Sequence, residues 1–217
     1  MLIVVIPAFR EVGTIGDVVT AVRPQARVIV VDDASGDGTA EAAEAAGAQV
    51  IQNKKNRGYE GALNIGFAAA AEAGASAILT MDGDGEHGPE YVATFSRLLM
   101  EEKVPLVLGC RPHTQRLAEA IVGGLIMLRY GVSDVFCGMK GYHTELWRRH
   151  GCFDSHNSIG TELALAAIRG GVPFREVPVR GVPRADAPRF DSKIRANLRI
   201  AKAITRCFSV PAVRLTK

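Results

Sequence analysis

The segment Ile78-Leu79-Thr80-Met81-Asp82-Gly83-Asp84-Gly85-Glu86-His87 sets two carboxylates one residue apart, just where an apolar run ends. Unpaired carboxylates are almost never fully buried, so Asp82 and Asp84 are not core residues. The intervening glycines let the backbone approach a ligand closely. Hard oxygen donors suit Mg²⁺ or Mn²⁺, and a metal held by one or two carboxylates completes its shell with substrate phosphate oxygens. The chemistry this points to is on a nucleoside diphosphate. Taken alone, the pattern also reads as a solvated Asp-Gly turn. Its context favours the metal.

Those carboxylates need elements to hold them. Apolar runs at Leu2–Ile6, Val28–Val31, Gln49–Gln52, Ala77–Met81 and Leu106–Leu108 alternate with helical stretches at Val12–Val22, Asp37–Ala46, Tyr59–Ala73 and Glu90–Glu102. Such alternation predicts a parallel sheet wrapped by helices. Continuous Val/Ile runs, rather than period-two alternation, belong to strands covered on both faces. Asp37 is placed to cap a helix start and Gly47 to stop that helix. Pro7 to Glu11, Asp32-Asp33 and Asp82 to Asp84 all fall just after strand C-termini, the edge at which open α/β sheets bind ligands. The second half predicts helix Leu117–Arg129, a strand around Val135–Gly141, helices Thr144–Arg149 and Thr161–Arg169, and strand Phe174–Val179. A loop over Pro183–Pro188 and a helix over Ile194–Phe208 follow. In that last helix Ile194, Leu198, Ile200, Ala201, Ile204 and Phe208 interleave with Arg195, Arg199, Lys202 and Arg206, so it either lies on anionic membrane or packs on its own domain.

With 217 residues, 47% apolar and 23% charged, the chain is sized for one domain with a sizeable core. A net charge of +3 hides an asymmetry: nine basic residues from Arg184 onward face only Asp186 and Asp191, whereas the rest carries 17 basic and 21 acidic residues. A basic C-terminal segment attracts a phosphorylated substrate or a lipid surface. Nucleic acid is not expected, because Phe208 is the one aromatic after Phe190 and there is no stacking platform. Cys110, Cys137, Cys152 and Cys207 are scattered, and the five histidines lack ligand spacing, so neither a zinc site nor a disulfide framework is indicated. A reducing cytoplasm fits. The opening Met1 to Pro7 is too short for a signal peptide, and the apolar stretch Ala118 to Tyr130 carries Glu119 and Arg129, which makes it an amphipathic or buried helix rather than a span.

Seven ordered motifs then carry a resemblance over nearly the whole chain. Val5-Ile6-Pro7-Ala8-Phe9-Arg10-Glu11 is similar to an I-P-A-Y-N-E opening, and Val30-Val31-Asp32-Asp33-Ala34-Ser35-Gly36-Asp37-Gly38-Thr39 to V-V-D-D-x-S-x-D-x-T. Asn56 to Gly66 is similar to N-x-G-x-x-x-A-x-x-x-G, and Asp82 to His87 to D-A-D-x-Q-H-P with Gly88 inserted before Pro89. Downstream, Gly109-Cys110-Arg111 resembles G-S-R, Asp134 to Met139 resembles D-x-x-S-G-F, and Glu176-Val177-Pro178-Val179 with Arg189-Phe190-Asp191-Ser192-Lys193 resembles E-V-P-V … R-G-E-S-K. Together they resemble the family 2 inverting glycosyltransferases, most closely the dolichyl- or polyprenyl-phosphate mannose/glucose synthase branch. Departures are Arg10 for Asn, Glu86 for Gln, Cys137 for Ser, Met139 for Phe and Phe190 for Gly.

The resemblance implies a GT-A (Rossmann-like) α/β three-layer sandwich, with a mostly parallel central sheet flanked by helices. It implies a single domain over 1–217: a nucleotide-sugar half (1–110), an acceptor half (111–190) and a basic amphipathic tail (191–217). Pro7, Ala8, Phe9, Glu11, Val31 and Asp33 would border the nucleotide. Asp82, Gly83, Asp84, Glu86 and Arg111 would bind the donor's diphosphate end, with Asp82, Asp84 and Glu86 on Mg²⁺ or Mn²⁺. Asp84, Arg111, Asp134, Arg189 and Lys193 would carry the chemistry, by neutralising the departing diphosphate. The expected acceptor is a polyprenyl phosphate at the cytoplasmic membrane face, with attachment expected to be peripheral or through a partner. A hydroxyl acceptor in glycan or glycolipid assembly would need a base, for which Glu86, Asp134 and Glu162 are candidates. Asp134 reads equally as a carboxylate satisfied by backbone N–H groups, and Glu162 as a dipole-favoured helix start. A non-catalytic nucleotide-sugar-binding module is opposed by the intact Asp82, Asp84, Arg111 and Lys193. A dehydrogenase is opposed by the lack of G-x-G-x-x-G after the first strand, and a nucleotidyltransferase by the lack of a Gly-rich opening.

Overall fold

The computed structural model describes residues 1–112, 117–181, 206 and 208–215. Its strands are β1 (Leu2–Ala8), β2 (Arg27–Asp32), β3 (Gln49–Gln52), β4 (Ala77–Thr80), β5 (Leu106–Cys110), β6 (Lys140–His143) and β7 (Phe174–Pro178). They form one sheet in the order β3-β2-β1-β4-β6-β5-β7. All neighbours run parallel except β6, which is antiparallel to both β4 and β5. Between the strands lie helices α1 (Ile15–Val22), α2 (Thr39–Ala45), α3 (Gly58–Glu72), α4 (Glu90–Ser96), α5 (Leu117–Tyr130), α6 (Thr144–His150) and α7 (Glu162–Arg169).

The two faces of the sheet bury separate cores. Along β1, Ile3 and Val5 join a core with Leu63 and Phe67 of α3 and Leu163 of α7. Leu2, Val4 and Ile6 join another with Val19 of α1, Val92 and Phe95 of α4, and Leu99. Successive strand residues point to opposite faces, so covering both faces requires the unbroken apolar runs read from the sequence. At full burial each such side chain contributes roughly 1.5–3 kcal/mol. The helix–sheet contact is closest at Gly66, where an added Cβ would meet Val5 Cγ1 at 2.2 Å and Val31 Cγ2 at 3.2 Å.

Several boundaries depart from expectation, each for a local reason. Helix α1 begins at Ile15 rather than Val12, because the Glu11 carbonyl accepts the N–H groups of Thr14 and Ile15 after Arg10 turns left-handed at φ 58°. Asp37 does cap α2, though from one residue before the formal cap: its Oδ1 accepts Thr39 N–H at 3.0 Å and Thr39 Oγ1–H at 2.6 Å. Gly47, at φ 96°, ends that helix. The predicted helix Glu90–Glu102 is α4 followed by a π-helical turn, Arg97–Glu101, that buries Leu98 and Leu99.

The largest correction concerns the strand expected around Val135–Gly141. Pairing begins at Lys140, because Asp134 Oδ1 accepts the Phe136 N–H at 2.9 Å and turns residues 134–139 into a loop. Helix α5 also departs from expectation. Ile126 is buried, but Ile121, Leu125 and Leu128 are 58%, 63% and 87% exposed, so its outward face is itself apolar. Among the described residues no helix is long and apolar enough to cross a membrane. The predicted loop Pro183–Pro188 and helix Ile194–Phe208 lie outside the described residues, apart from Arg206 and Phe208.

Candidate functional site

The C-terminal edge of the parallel strands gathers the polar motifs. The backbone after β1 is tied to the loop after β2: Asp33 N–H donates to Ala8 O at 2.8 Å, Arg10 N–H to Ser35 Oγ at 2.9 Å and Glu11 N–H to Thr39 Oγ1 at 2.9 Å. Ser35 in turn donates to Asp32. Arg10 lies over the Phe9 ring, 5.1 Å from its centroid. Pro7 and Ala8 pair in register with Val31 and Asp32, so Pro7, Ala8, Phe9, Glu11 and Val31 lie close to one another at this corner. Asp33 is buried, and its two carboxylate oxygens accept Asn53 Nδ2–H at 2.7 Å and the N–H groups of Arg57 and Gly58 at 2.8 Å. It thus closes the N-terminus of α3, where a negative charge is stabilised by otherwise unpartnered N–H groups and the helix dipole.

The loop after β4 is bonded to the same corner, since Thr14 Oγ1–H donates to Gly83 O at 2.9 Å. Gly83 is confined: a Cβ there would lie 3.2 Å from Ile15 Cδ1 and 3.3 Å from Ile6 Cγ2. Asp84 Oδ1 accepts the Glu86 N–H at 3.0 Å, a turn completed by Gly85 at φ 79°. Asp82 lies against the 134–139 loop. A Cβ on Gly138 would sit 2.4 Å from Asp82 Oδ2 and 2.9 Å from His87 Cε1, so only glycine permits that approach.

His87 is buried, with Nδ1 3.2 Å from the Asp82 N and 3.7 Å from Asp82 Oδ2. Burial opposes its imidazolium, yet the Asp82 carboxylate outweighs that and holds its pKa up at about 9. Burial and the Asp82 and Glu60 carboxylates push the Tyr59 hydroxyl well above its ordinary range.

One carboxylate oxygen, Asp82 Oδ1, is buried with no hydrogen-bond partner among the described residues. A buried anionic oxygen left without a donor is costly, and a cation would satisfy it. Aspartate oxygens at a sheet edge beside a glycine-rich turn fit a hard divalent ion such as Mg²⁺ or Mn²⁺. The expected trio of Asp82, Asp84 and Glu86 is not gathered as a three-ligand set. Among the described residues the group of His, Cys, Asp and Glu side chains whose ligand atoms all lie within 4.8 Å is His150, Cys152 and Glu162.

Because β6 runs antiparallel, the loop that precedes it emerges at this same edge. It carries Asp134, which is buried and forms a two-pronged pair with Arg111 at the end of β5: Nε to Oδ2 at 2.7 Å and Nη2 to Oδ1 at 3.1 Å. Burial alone would raise the Asp134 pKa, but the Arg111 guanidinium and the N–H groups of Arg111 and Phe136 hold it below its ordinary value. Lys140, 2% exposed, donates from Nζ to Gly160 O at 2.9 Å. Arg189 and Lys193 lie outside the described residues.

Glu162 has a separate set of partners. Its carboxylate accepts Ser155 N–H at 2.8 Å and Ser155 Oγ–H at 2.9 Å and meets His150 and His156. Sequence reasoning gave no role to Tyr59, Thr14, His87 or Gly138. All but Thr14 stood inside quoted motifs, but their spacing along the chain does not reveal that they converge on the Asp82 loop.

The chain matches the sequence profile described as Glycosyl transferase family 2 over residues 3–151. It is 30% identical over 206 residues to undecaprenyl-phosphate mannosyltransferase of Micrococcus luteus, covering 84% of each chain. It is 27% identical over 203 residues to polyprenol monophosphomannose synthase of Mycolicibacterium smegmatis, covering 82% of this chain and 76% of that one. In fold it is similar to glucosyl-3-phosphoglycerate synthase of Mycobacterium tuberculosis, solved with Mn²⁺, UDP and glucosyl-3-phosphoglycerate (TM-score 0.75, 20% identity, 97% of this chain and 81% of that one). It is likewise similar to mannosyl-3-phosphoglycerate synthase of Rubrobacter xylanophilus (TM-score 0.70, 17% identity, 96% and 72%). The strand order, the carboxylates at the sheet edge and these matches lead to one assignment: the chain belongs to glycosyl transferase family 2 and is a glycosyltransferase with the GT-A fold.

Proposed function

We propose that this enzyme moves a sugar, with inversion, from a nucleoside-diphosphate sugar to a polyprenyl phosphate at the cytoplasmic membrane face. The observation that carries this reading is the orphaned Asp82 Oδ1 at the C-terminal sheet edge, in a chain whose relatives are named for lipid-phosphate mannosyl transfer.

In this reading Pro7, Ala8, Phe9, Glu11, Val31 and Asp33 hold the nucleoside. Asp82 and Asp84, with Glu86 alongside, hold Mg²⁺ or Mn²⁺ on the diphosphate. When bound, that ion stabilises the negative charge that develops on the leaving diphosphate. Arg111 adds fixed positive charge at the same edge, and its orientation is held by Asp134. Arg189 and Lys193 are proposed to neutralise charge on the diphosphate as well.

Proton chemistry supports this acceptor. A hydroxyl nucleophile needs a base whose pKa lies near working pH. Asp134 is held below the ordinary carboxylate range by Arg111, and Glu162 is held at about 2 against the pull of burial by His150, Ser155 and His156. Both are therefore weak bases. A lipid phosphate arrives ionised and needs none. The exposed apolar face of α5, which follows Arg111 in the chain, supports peripheral contact with the membrane that would present such a lipid.

Calorimetry with UDP, GDP, UDP-glucose and GDP-mannose, each with Mn²⁺ and with chelator, tests the donor half of the proposal. Metal-dependent binding of one nucleotide is expected. Transfer from the matching labelled donor to a short polyprenyl phosphate, and not to the free polyprenol, tests the acceptor; transfer to the alcohol would overturn it.

A further inference from the structure

A second set of metal-ligating side chains converges between the end of α6 and the start of α7. His150 ends α6, Cys152 and His156 lie in the loop that follows, and Glu162 opens α7. His150 Nε2 is 3.0 Å and Cys152 Sγ 3.6 Å from Glu162 Oε1, and one ligand atom from each of these three residues lies within 4.8 Å of the others. His156 Nδ1 is 2.9 Å from the other carboxylate oxygen, Oε2. Tetrahedral zinc, with ligand bonds of about 2.0–2.3 Å, spaces its ligand atoms roughly 3.3–3.8 Å apart, so the cluster must contract by about an ångström at most.

We propose that His150, Cys152 and Glu162 form a transition-metal site, occupied by Zn²⁺, with His156 or a water in the fourth position. The donor set decides the ion: imidazole and thiolate select zinc over Mg²⁺ or Mn²⁺, whose preference is for oxygen. Binding is balanced by loss of the Cys152 thiol proton to solvent as the Zn–S bond forms, with both histidines neutral. The Glu162 and His150 side chains are 1% and 4% exposed, so these ligands are held in place before the ion arrives. The Ser155 N–H on Glu162 Oε2 provides the outer hydrogen bond that orients the carboxylate. Entry is through an open cleft of about 650 Å³ that the cluster lines together with Ser155 and residues from Val210 to Arg214; Asp82, Asp84 and Arg111 are not among its walls.

The site clamps the 151–161 loop. That loop braces the nucleotide half, through Phe153 N–H to Asn64 Oδ1 at 2.8 Å and Ile159 N–H to Glu60 Oε1 at 3.0 Å, and β6 through the Lys140–Gly160 bond. The ion is therefore structural, distinct from the one that serves the diphosphate.

The test is Co²⁺ substitution of the full chain, followed by absorption, with Zn²⁺ competition. A thiolate-to-cobalt charge-transfer band that saturates at one equivalent of cobalt per chain and is displaced by zinc is expected. Cys152→Ser should abolish the band and His150→Gln should weaken Zn²⁺ binding by more than about 100-fold, beyond the loss expected for an outer partner. Cys137→Ser, the thiol nearest the Asp82 loop, should leave the band unchanged. No band in the native chain, or a band that survives Cys152→Ser, overturns the proposal and leaves the cluster as a hydrogen-bonded cap on α7. Should Cys152→Ser fail to fold, loss of the band with Cys137→Ser would overturn it equally, and its persistence there with loss in His150→Gln would uphold it.

Discussion

At the residue scale, each motif carboxylate does a different job that its neighbours set. Asp33 closes a helix, Asp134 fixes an arginine, and Asp82 keeps an oxygen with no hydrogen-bond partner among the described residues. Asp84→Ala is expected to abolish Mn²⁺-dependent donor binding in calorimetry while leaving the thermal midpoint within a few degrees; normal metal-dependent binding by that variant would remove Asp84 from the ion. Asp134 makes a pH prediction. Its folded pKa lies below the ordinary value, so its contribution is fully present above about pH 4 and is lost as pH falls through the folded pKa. Asp134→Asn breaks a largely buried pair and should cost about 3 kcal/mol at neutral pH. The urea midpoint of the variant should then fall less steeply than that of the native chain below pH 4. Parallel acid limbs for the two proteins would mean that Asp134 is not held down in solution.

At the element scale, close approaches decide what the sheet can present. Helix α3 sits on β1 and β2 only because residue 66 lacks a side chain. Gly66→Ala should therefore lower stability by about 1–3 kcal/mol through overpacking, read as a shifted denaturant midpoint with unchanged slope. The loop before β6 makes the complementary case. Gly138→Ala drives a Cβ into the Asp82 carboxylate, so donor affinity should fall at least tenfold, about 1.4 kcal/mol. Equal affinity in that variant would mean that Asp82 does not need its present position. Irregular backbone here is part of the site: had residues 135–139 continued the strand, Asp134 would lie in the ladder and not beside Arg111.

At the scale of the whole molecule, the proposed reaction asks a nucleotide edge and an apolar helix face to work together across two phases. The exposed Leu125 and Leu128 of α5 contribute nothing to the core, so replacing both with Ser should change stability by about 0.5 kcal/mol or less per site. Co-sedimentation with anionic phospholipid vesicles should nevertheless drop. Undiminished sedimentation would assign membrane contact to another surface.

Much of this organisation was legible in the chain. Buried parallel strands require unbroken apolar runs, turns after them collect Gly, Asp and Pro, and so the strands β1 to β5, the sheet edge and the Asp82–Asp84 motif follow from local chemistry. What local chemistry does not contain is the partner of a side chain across the fold. That Arg111 pairs with Asp134, that Gly138 lies against Asp82, and that His150, Cys152 and Glu162 meet at one point depends on an antiparallel strand inserted between two parallel neighbours and on a loop folded back on α3. These are contacts between residues far apart or irregularly spaced in sequence, with no period to signal them, and only tertiary packing brings them together.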